Sequence, residues 1–303
     1  METAACWIER LPEELLAAVI SLTSPPDACR VAAVSRAFLA AADSDAVWCR
    51  FLPGDLPRFV DTYESSIMAL PSCKARFLHL SDDPALLLGR VTRMWLDKAT
   101  GGKCYMLSAR ALNISWGDEP NYWRWIHLDV LHGGKRIASE AAQLLHVAWL
   151  EVRGKIESRM LSPNSTYGVY LVFRLDPKTH GLGFPFQEGL INVGGVVSTR
   201  RACLHGYDED GAGGVVPRKY VVDSTRTYWA HLSSSHTVLV EDDVTLPQRR
   251  ADGWMELELA DGFYNHEDDD GEVRVALNEI KRLYSKGGLI VRSIEFRIKQ
   301  QNI

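Results

Sequence analysis

The hydrophobic pattern of this chain changes period near residue 93, and this change constrains the fold more than any other feature. Before it, apolar residues recur every three or four positions, as they do in amphipathic helices. After it, short runs alternate between apolar and polar residues, as they do in half-buried strands separated by turns. Successive strands without intervening helices favour a β-sandwich over βαβ units. The sequence therefore predicts an α+β chain, in which a small all-α cluster precedes an all-β sandwich.

The first 60 residues predict a cluster of short helices. Pro12 suits the first turn of the first helix, because the N–H that proline lacks would have no intrahelical partner there. Ser24-Pro25-Pro26-Asp27 breaks the chain before a second helix. The two helices carry apolar residues at helical spacing: Leu11, Leu15, Leu16, Val19, Ile20, Leu22, Val31 and Val34. Short helices cannot bury this many apolar residues among themselves, so the cluster is either a cap on the rest of the chain or a module that binds a partner.

Residues 53–92 are expected to form a helical connector, with helices at Phe59–Leu70 and Pro84–Arg90. Beyond it, Met94–Asp97 and Cys104–Leu107 flank a glycine-containing turn and predict a hairpin. Ile137–Leu145 is an exception among the later segments, because its alanine spacing favours a helix. The other strand-like runs are His146–Arg153, Tyr167–Leu175, Gly189–Val197, Arg218–Val222, Trp254–Leu259, Glu272–Leu277 and Leu289–Arg297.

Charge, hydropathy and cysteine positions narrow the class of protein. The 303 residues contain 34 Lys+Arg and 39 Asp+Glu, and a net charge of −5 disfavours nucleic-acid binding through a basic face. No apolar run approaches the roughly 18 residues that a membrane span needs, and the first residues lack the features of a secretory signal. The 6 cysteines are widely separated, which predicts reduced thiols rather than a disulfide framework or a metal site. We therefore expect a cytoplasmic or nuclear protein without a membrane or nucleic-acid partner.

The sequence predicts neither catalytic residues nor a cofactor nor a metal site. It lacks a G-x-S-x-G elbow, a Walker loop, an H-E-x-x-H pair and a G-x-G-x-x-G helix start. Glu272 and Glu279 are the carboxylates that a glycosidase pair would use. An odd separation on a regular strand directs them to opposite faces, which disfavours joint catalysis.

Tryptophan is concentrated in one part of the chain. Five of the 9 tryptophans lie between residues 95 and 149, and the segment 114–125 combines rings with turn-forming residues. An indole face packs well on the C–H face of a sugar or on a nucleobase, and its N–H donates one hydrogen bond. The alternative is that these rings fill the core of the sandwich. Both interpretations remain open from the sequence.

Residues 1–52 resemble an F-box. The resemblance rests on the Leu11-Pro12 opening, the sequence Val34-Ser35-Arg36 and the late Trp48. In that family the helices dock on a Skp-family adaptor, which connects them to the cullin and RING subunits of an SCF-type ubiquitin ligase. The resemblance implies the following adaptor-binding residues: Leu11, Pro12, Leu15, Leu16, Ile20, Val31 and Val34.

Residues 93–303 resemble the phloem-lectin domain (phloem protein 2, Nictaba-like) in its plant subgroup that carries an F-box. The matching segments are Trp95–Lys98, Gly102–Arg110, Ile114–Trp116, Tyr122–Trp125, Ala148–Glu157, Tyr167–Phe173, Asp252–Glu256 and Asp270–Val273. The resemblance implies a jelly-roll-like β-sandwich that binds N-acetylglucosamine oligomers and N-glycan cores. The carbohydrate-binding residues that it carries over are Trp116, Trp123, Glu272 and Glu279. In this role the rings stack on sugar faces, and the carboxylates accept hydroxyl and amide hydrogens.

Together the two resemblances imply a non-catalytic substrate-receptor subunit of an SCF-type ligase, whose lectin-like domain selects target proteins, glycoproteins among them. The alternative is a cytoplasmic or nuclear stress lectin whose ligase role is minor. In a variant of the first hypothesis, the lectin-like domain recognises a protein surface instead of a sugar. A third hypothesis is a glycoside hydrolase built on Glu272 and Glu279.

Overall fold

The computed structural model describes residues 8, 11–132, 135–205, 207–209, 215–217 and 244–299, with the backbone alone for 129–132, 135–138, 207–209 and 215–217. The predicted order, helices before strands, is confirmed in this part of the chain. Its α-helices are α1 (Glu13–Ile20), α2 (Pro25–Val31), α3 (Arg36–Asp43), α4 (Asp45–Phe51), α5 (Asp61–Met68) and α6 (Cys73–Asp82). None of the described helices is long and apolar enough to span a membrane.

Serine side chains begin three of these helices. The Ser24 hydroxyl oxygen accepts a hydrogen bond from the backbone N–H of Asp27, and Ser35 and Ser72 cap α3 and α6 in the same way. Each cap satisfies one N–H that has no partner inside its helix. The short helices of this region are therefore fixed locally, at the positions where the sequence places serine.

The connector contains both predicted and unpredicted structure. The helix expected at Phe59–Leu70 is present as α5. The helix expected at Pro84–Arg90 is wrong, because Ala85–Leu86 forms an extended strand, β1, that pairs with the following strand. Backbone pairing with a neighbour outweighs local helical spacing in so short a segment.

Ten strands of the described residues form the larger sheet. β3 (Lys103–Ser108) and β8 (Ser165–His180) flank β18 (Gly287–Ile298) near its centre. The hairpin of β5 (Trp123–His132) and β6 (Lys135–Leu144) joins β18 through β6, so the helix expected at Ile137–Leu145 is wrong. The remaining strands of this sheet are β1, β2 (Thr92–Leu96), β14 (Gln248–Arg249), β15 (Met255–Glu258) and β16 (Phe263–Asn265). The antiparallel pairing of β2 with β3 confirms the predicted hairpin.

The second sheet has six strands and carries the glutamates of interest. Its order is β13 (Val244–Thr245), β10 (Val196–Ala202), β9 (Gln187–Val193), β17 (Glu272–Glu279), β7 (Leu150–Glu157) and β4 (Asn113–Ile114). Its described strand pairs are antiparallel apart from β10 with β13. A separate pair comprises β11 (Tyr207–Glu209) and β12 (Val215–Pro217). The strand predicted at Arg218–Val222 lies outside the described residues.

The two sheets pack face to face as a sandwich. Every second residue of β8, from Tyr167 to Phe173, is fully buried between them. Gly154 on β7 marks the close approach, since a Cβ there would lie 3.2 Å from Leu107 Cδ1 on β3 of the other sheet. Apolar side chains of both sheets therefore form one core.

The helical cluster shares this core with the sandwich. Trp48 of α4 is buried, donates its indole N–H to the carbonyl of Ala42 at 2.7 Å, and packs on Phe77 of α6. The turn between β2 and β3 meets α4 at Gly101, where a Cβ would collide with the carbonyl oxygen of Phe51. The cluster is therefore packed on the rest of the chain, as one of the two initial interpretations required.

The expectation of six reduced thiols is wrong, because Cys49 and Cys73 form a disulfide. Their Cα atoms are 5.2 Å apart, within the range that a disulfide spans. Sequence spacing did not indicate this bond, because α4 and α6 bring together two cysteines 24 positions apart. Cys29, Cys104 and Cys203 are free thiols.

Candidate functional site

The helical cluster carries several exposed apolar side chains. Leu22 retains 71% of its surface, and Leu15 and Val19 of α1 are also exposed. A spacing of four residues places Leu15 and Val19 on one side of α1, and Leu22 lies in the turn that follows the helix. We call the exposed set the apolar face: Leu11, Leu15, Val19, Leu22, Val34 and Leu39.

The adaptor-binding residues expected from the sequence divide between this face and the core. Leu11, Pro12, Leu15 and Val34 are exposed, and Val31 is partly buried against the core. Two further residues of the expected set, Leu16 and Ile20, are only 2% exposed. They lie on a different side of α1 and pack inside the chain, so they are unavailable to a partner without unfolding.

Sequence reasoning omitted three residues of the apolar face. Val19 and Leu22 belong to the predicted stripe but were not assigned to adaptor binding, and Leu39 was not considered. The helical period could have separated the two sides of α1. It could not have shown which side faces solvent, because both sides are apolar.

A strained turn presents Trp116 at the surface of the sandwich. This residue has a φ of 66°, in the left-handed region that non-glycine residues rarely adopt, and its side chain is 57% exposed. The backbone N–H of Gly117 closes the turn by donating to the carbonyl of Ile114 at 2.9 Å. Strain of this kind persists only where the surroundings enforce it.

Two neighbouring indoles supply that enforcement. Trp123 donates its indole N–H to the carbonyl of Ser115, and Trp125 donates to the carbonyl of Gly117, each at 3.1 Å. These bonds hold the backbone on both sides of Trp116. The guanidinium of Arg110 lies 3.6 Å above the Trp125 ring and fixes that ring in turn.

Further exposed rings are connected to Trp116 through a series of contacts. Its ring centroid lies 6.0 Å from that of Tyr122, which lies 6.1 Å from that of His146. Trp149, the residue before β7, is linked to the same turn, because its indole N–H and the hydroxyl of Ser115 both donate to Glu151 Oε2, at 3.4 Å and 2.9 Å. We define the aromatic surface as Trp116, Tyr122, His146, Trp149 and the carboxylate of Glu151.

Trp123 does not belong to the aromatic surface, although the resemblance carried a binding role over to it. It begins β5, and its ring is turned into the core with 2% of its surface exposed. Its contact with the site runs through the backbone of Ser115. Its described role is therefore to position the turn of Trp116.

The two carried-over glutamates are not brought together. They lie at opposite ends of β17, which pairs with β7 in unbroken register from Glu272–Glu157 to Glu279–Leu150. On such a strand their side chains point to opposite faces, which confirms the prediction from their odd separation. Only an irregularity in β17 could have redirected one of them.

Each glutamate has a local partner. Hydrogen bonds from Lys155 and Arg274 hold the pKa of Glu272 below its usual range. Glu279 is 4% exposed and forms a 2.5 Å ion pair with the fully buried Lys286. Lys286 Nζ also donates to the carbonyl of Ala148 at 2.8 Å, which ties the loop after β17 to the loop that precedes Trp149.

A pocket of about 730 Å³ lies between α6 and a face of the ten-stranded sheet. Its arginines are Arg174, Arg250, Arg292 and Arg297. The last three pair with carboxylates of the same region, such as Arg292 with Asp252 at 2.9 Å. The lining charges are therefore largely neutralised by one another.

One described cluster has atoms close enough to bind a metal: Asp45, Cys49 and Cys73. Its two sulfur atoms are bonded to each other as a disulfide. They therefore offer no thiolate, the form of cysteine that binds a metal.

The chain thus combines a helical module that carries the apolar face with a β-sandwich that carries the aromatic surface. The family model "F-box-like" matches residues 8–53, and the model "Phloem protein 2" matches residues 102–298. The chain belongs to the plant F-box proteins that carry a phloem protein 2 domain.

Three relatives from Arabidopsis thaliana illustrate the similarity. One F-box protein is 38% identical over 95% of this chain and 79% of its own length. F-box protein PP2-B1 is 34% identical over 99% of this chain and 92% of its own length. The putative F-box protein PP2-B12 is 35% identical over 96% and 97%, respectively. The similarity therefore extends over both parts of the chain.

Proposed function

We propose that the chain is the substrate-receptor subunit of an SCF-type ubiquitin ligase. The apolar face binds a Skp-family adaptor, which joins the chain to a cullin and a RING subunit. The sandwich binds the target protein. The chain acts in the cytoplasm or the nucleus and leaves ubiquitin transfer to the other subunits.

The apolar face is the observation that carries this proposal. Exposed apolar residues are ordinary when scattered, but a contiguous set indicates an interaction surface. Here Leu15, Val19 and Leu22 remain exposed, although the other side of α1 already packs in the core. Full burial of one such side chain contributes roughly 1.5–3 kcal/mol. A partner that covers the face would therefore bind tightly without any change in the module.

The test measures adaptor binding by the full chain. Leu11→Arg combined with Leu15→Arg should weaken the complex by at least about thirtyfold, because two charges would be buried without partners. Leu78→Arg is the matched control, since Leu78 is an exposed leucine of α6 outside the F-box-like region. Calorimetric titration with a purified Skp-family adaptor gives both affinities. Wild-type affinity of the double variant would overturn the proposed interface.

The aromatic surface favours a second function, recognition of carbohydrate on the target. A pyranose ring offers a C–H face that packs on exposed indole and phenol rings, and hydroxyl and amide hydrogens that a carboxylate accepts. Trp116, Tyr122 and Trp149 supply the rings, and Glu151 supplies the acceptor. The buried positions of Trp123 and Glu279 assign them supporting roles in this proposal.

Titration with chitotriose, a trimer of N-acetylglucosamine, tests the second function. Trp116→Ala and Trp149→Ala should each weaken binding about tenfold or more through loss of stacking. Tyr264→Ala is the matched control, because Tyr264 is an exposed ring on β16 outside the aromatic surface. If wild-type protein binds neither chitotriose nor an N-glycan core, the carbohydrate function fails, and the adaptor measurement remains independent of it.

A further inference from the structure

The Cys49–Cys73 disulfide crosses the junction between the helical module and the rest of the chain. Cys49 lies in α4, and Cys73 begins α6. We propose that this pair is a reversible redox-modification site, opened by a low-molecular-weight thiol such as glutathione, which sets how firmly the intervening segment is held. The proposal concerns the free chain and is independent of adaptor and carbohydrate binding.

One of the two residues that form the bond is exposed to solvent. Cys49 is exposed, whereas Cys73 is 9% exposed. Disulfide exchange requires a thiolate to reach one sulfur of the bond, so access at Cys49 is sufficient. Bonds that small thiols can reach are the labile ones, whereas structural disulfides usually resist reduction.

Two other cysteines should react poorly in thiol–disulfide exchange. Burial raises the pKa of the Cys104 thiol to about 12 and that of the Cys203 thiol to about 11. Both thiols therefore stay protonated and shielded at neutral pH. Cys29 is an exposed free thiol and must be controlled in any experiment.

The junction has enough other contacts to survive opening of the bond. The backbone N–H of Cys73 donates to Asp45 Oδ1 at 2.8 Å, and Lys74 pairs with Asp43 at 2.5 Å. Behind them Trp48 packs on Phe77, with a centroid distance of 5.2 Å. The reduced protein should therefore keep α4 against α6, and both redox states should be folded.

Within the segment between the two cysteines, Phe51, Phe59 and Val60 are buried, whereas α5 is held by little apart from the bond. Ile67 is the one buried residue of α5, and the Lys74–Asp43 pair lies at the surface. The disulfide closes a loop with a sequence separation of 24, which restricts the conformations open to that loop. Opening the bond should therefore show first as loosening of α5.

The exchange balances with glutathione as the reductant. One glutathione thiolate attacks Cys49 Sγ, forms a mixed disulfide there and releases Cys73 as a thiolate, which takes up a proton. A second glutathione thiolate attacks the glutathione sulfur of the mixed disulfide and releases Cys49, which is protonated in turn. The protein disulfide gains two electrons, and two glutathiones become glutathione disulfide. In the reverse direction glutathione disulfide is the oxidant.

The experiment uses the full chain with Cys6 and Cys29 replaced by serine. Samples are equilibrated in glutathione buffers of different ratio, pulsed with N-ethylmaleimide while folded, and analysed by mass spectrometry. We expect a label at the exposed Cys49 to appear as the buffer becomes reducing, and a second alkylating reagent added after denaturation to find Cys73 as a free thiol in the same samples. Labelling in every buffer would show that no disulfide forms. Absence of labelling in millimolar glutathione would show that glutathione does not reduce the disulfide. Either result overturns the proposal.

Hydrogen exchange tests the consequence for the chain. Amides of α5 should exchange about tenfold faster in the reduced state, while those of β8 should not change. Cys49→Ser and Cys73→Ser should each show the faster rate in every buffer, because neither can form the bond. Exchange in both variants as slow as in the oxidised parent would overturn the proposed coupling.

Discussion

At the scale of single residues, the backbone of Trp116 is strained. Its backbone has a φ of 66°, and the indoles of Trp123 and Trp125 bond to the carbonyls on either side of it. A left-handed non-glycine residue costs on the order of 1 kcal/mol. Because the ring is exposed, burial of that ring does not offset this cost. The hydrogen bonds from Trp123 and Trp125 therefore hold the backbone of Trp116 in this conformation.

This strain predicts an order of stability between two variants. Trp116→Gly should be more stable to urea than Trp116→Ala by about 0.5–1 kcal/mol, because glycine adopts a positive φ without a Cβ clash. Both variants should lose chitotriose binding, since both lack the ring. The free energy of unfolding is measured by urea denaturation at constant pH. An alanine variant as stable as the glycine variant would mean that the turn carries no strain.

At the scale of elements, the hydrophobic period predicted the class of each region but not the orientation of its faces. The helix α1 was predicted from one apolar stripe, yet Leu15 faces solvent and Leu16 faces the core. Both positions are leucine, so the amino-acid type cannot distinguish them. The difference arises from the helices packed against α1, which local sequence does not describe.

For the strand β6, the hydrophobic period predicted the wrong type of element. Ala138, Ala141 and Ala142 follow helical spacing, but the segment pairs with β5 along its length and with β18 at two positions. Small side chains at Ala141 and Ala142 are fully buried there. Tertiary pairing thus overrides a weak helical preference. The same limit applies to Cys49 and Cys73, since their pairing depends on how two helices pack.

The parts of the candidate sites whose residues are close together in the sequence could be predicted, and the parts whose residues come from distant segments could not. The residue types that present Trp116 all lie between Ile114 and Trp125, so the sequence indicated this segment. It also placed Glu272 and Glu279 on opposite faces from their separation alone. The contributions of Trp149 and Glu151 come from another strand, and no spacing rule links them to Trp116.

At the scale of the whole molecule, one continuous core connects the elements that carry the apolar face and the aromatic surface. The buried side chains run without a break from Leu16 in α1 to Phe296 in β18. Lys103 of β3, which is fully buried, reaches out to Asp55 beyond α4 with an ion-pair distance of 2.6 Å. The apolar face is therefore held in a fixed relation to the aromatic surface. In the proposed function, this fixed relation would present a bound target to the ligase in one orientation.

A shared core predicts that both parts unfold together, and Gly101 is the position that tests this. Gly101→Ala should lower the free energy of unfolding by about 2–4 kcal/mol, because its Cβ would collide with Phe51 of α4 in addition to the cost of a positive φ. Gly194→Ala is the matched control, since Gly194 also has a positive φ but has no atom within 4 Å of the added Cβ. It should lose only about 1 kcal/mol. Helical circular dichroism and tryptophan fluorescence should give one coincident transition for both variants. Separate transitions, or equal losses in the two variants, would show that the helical module and the sandwich are energetically independent.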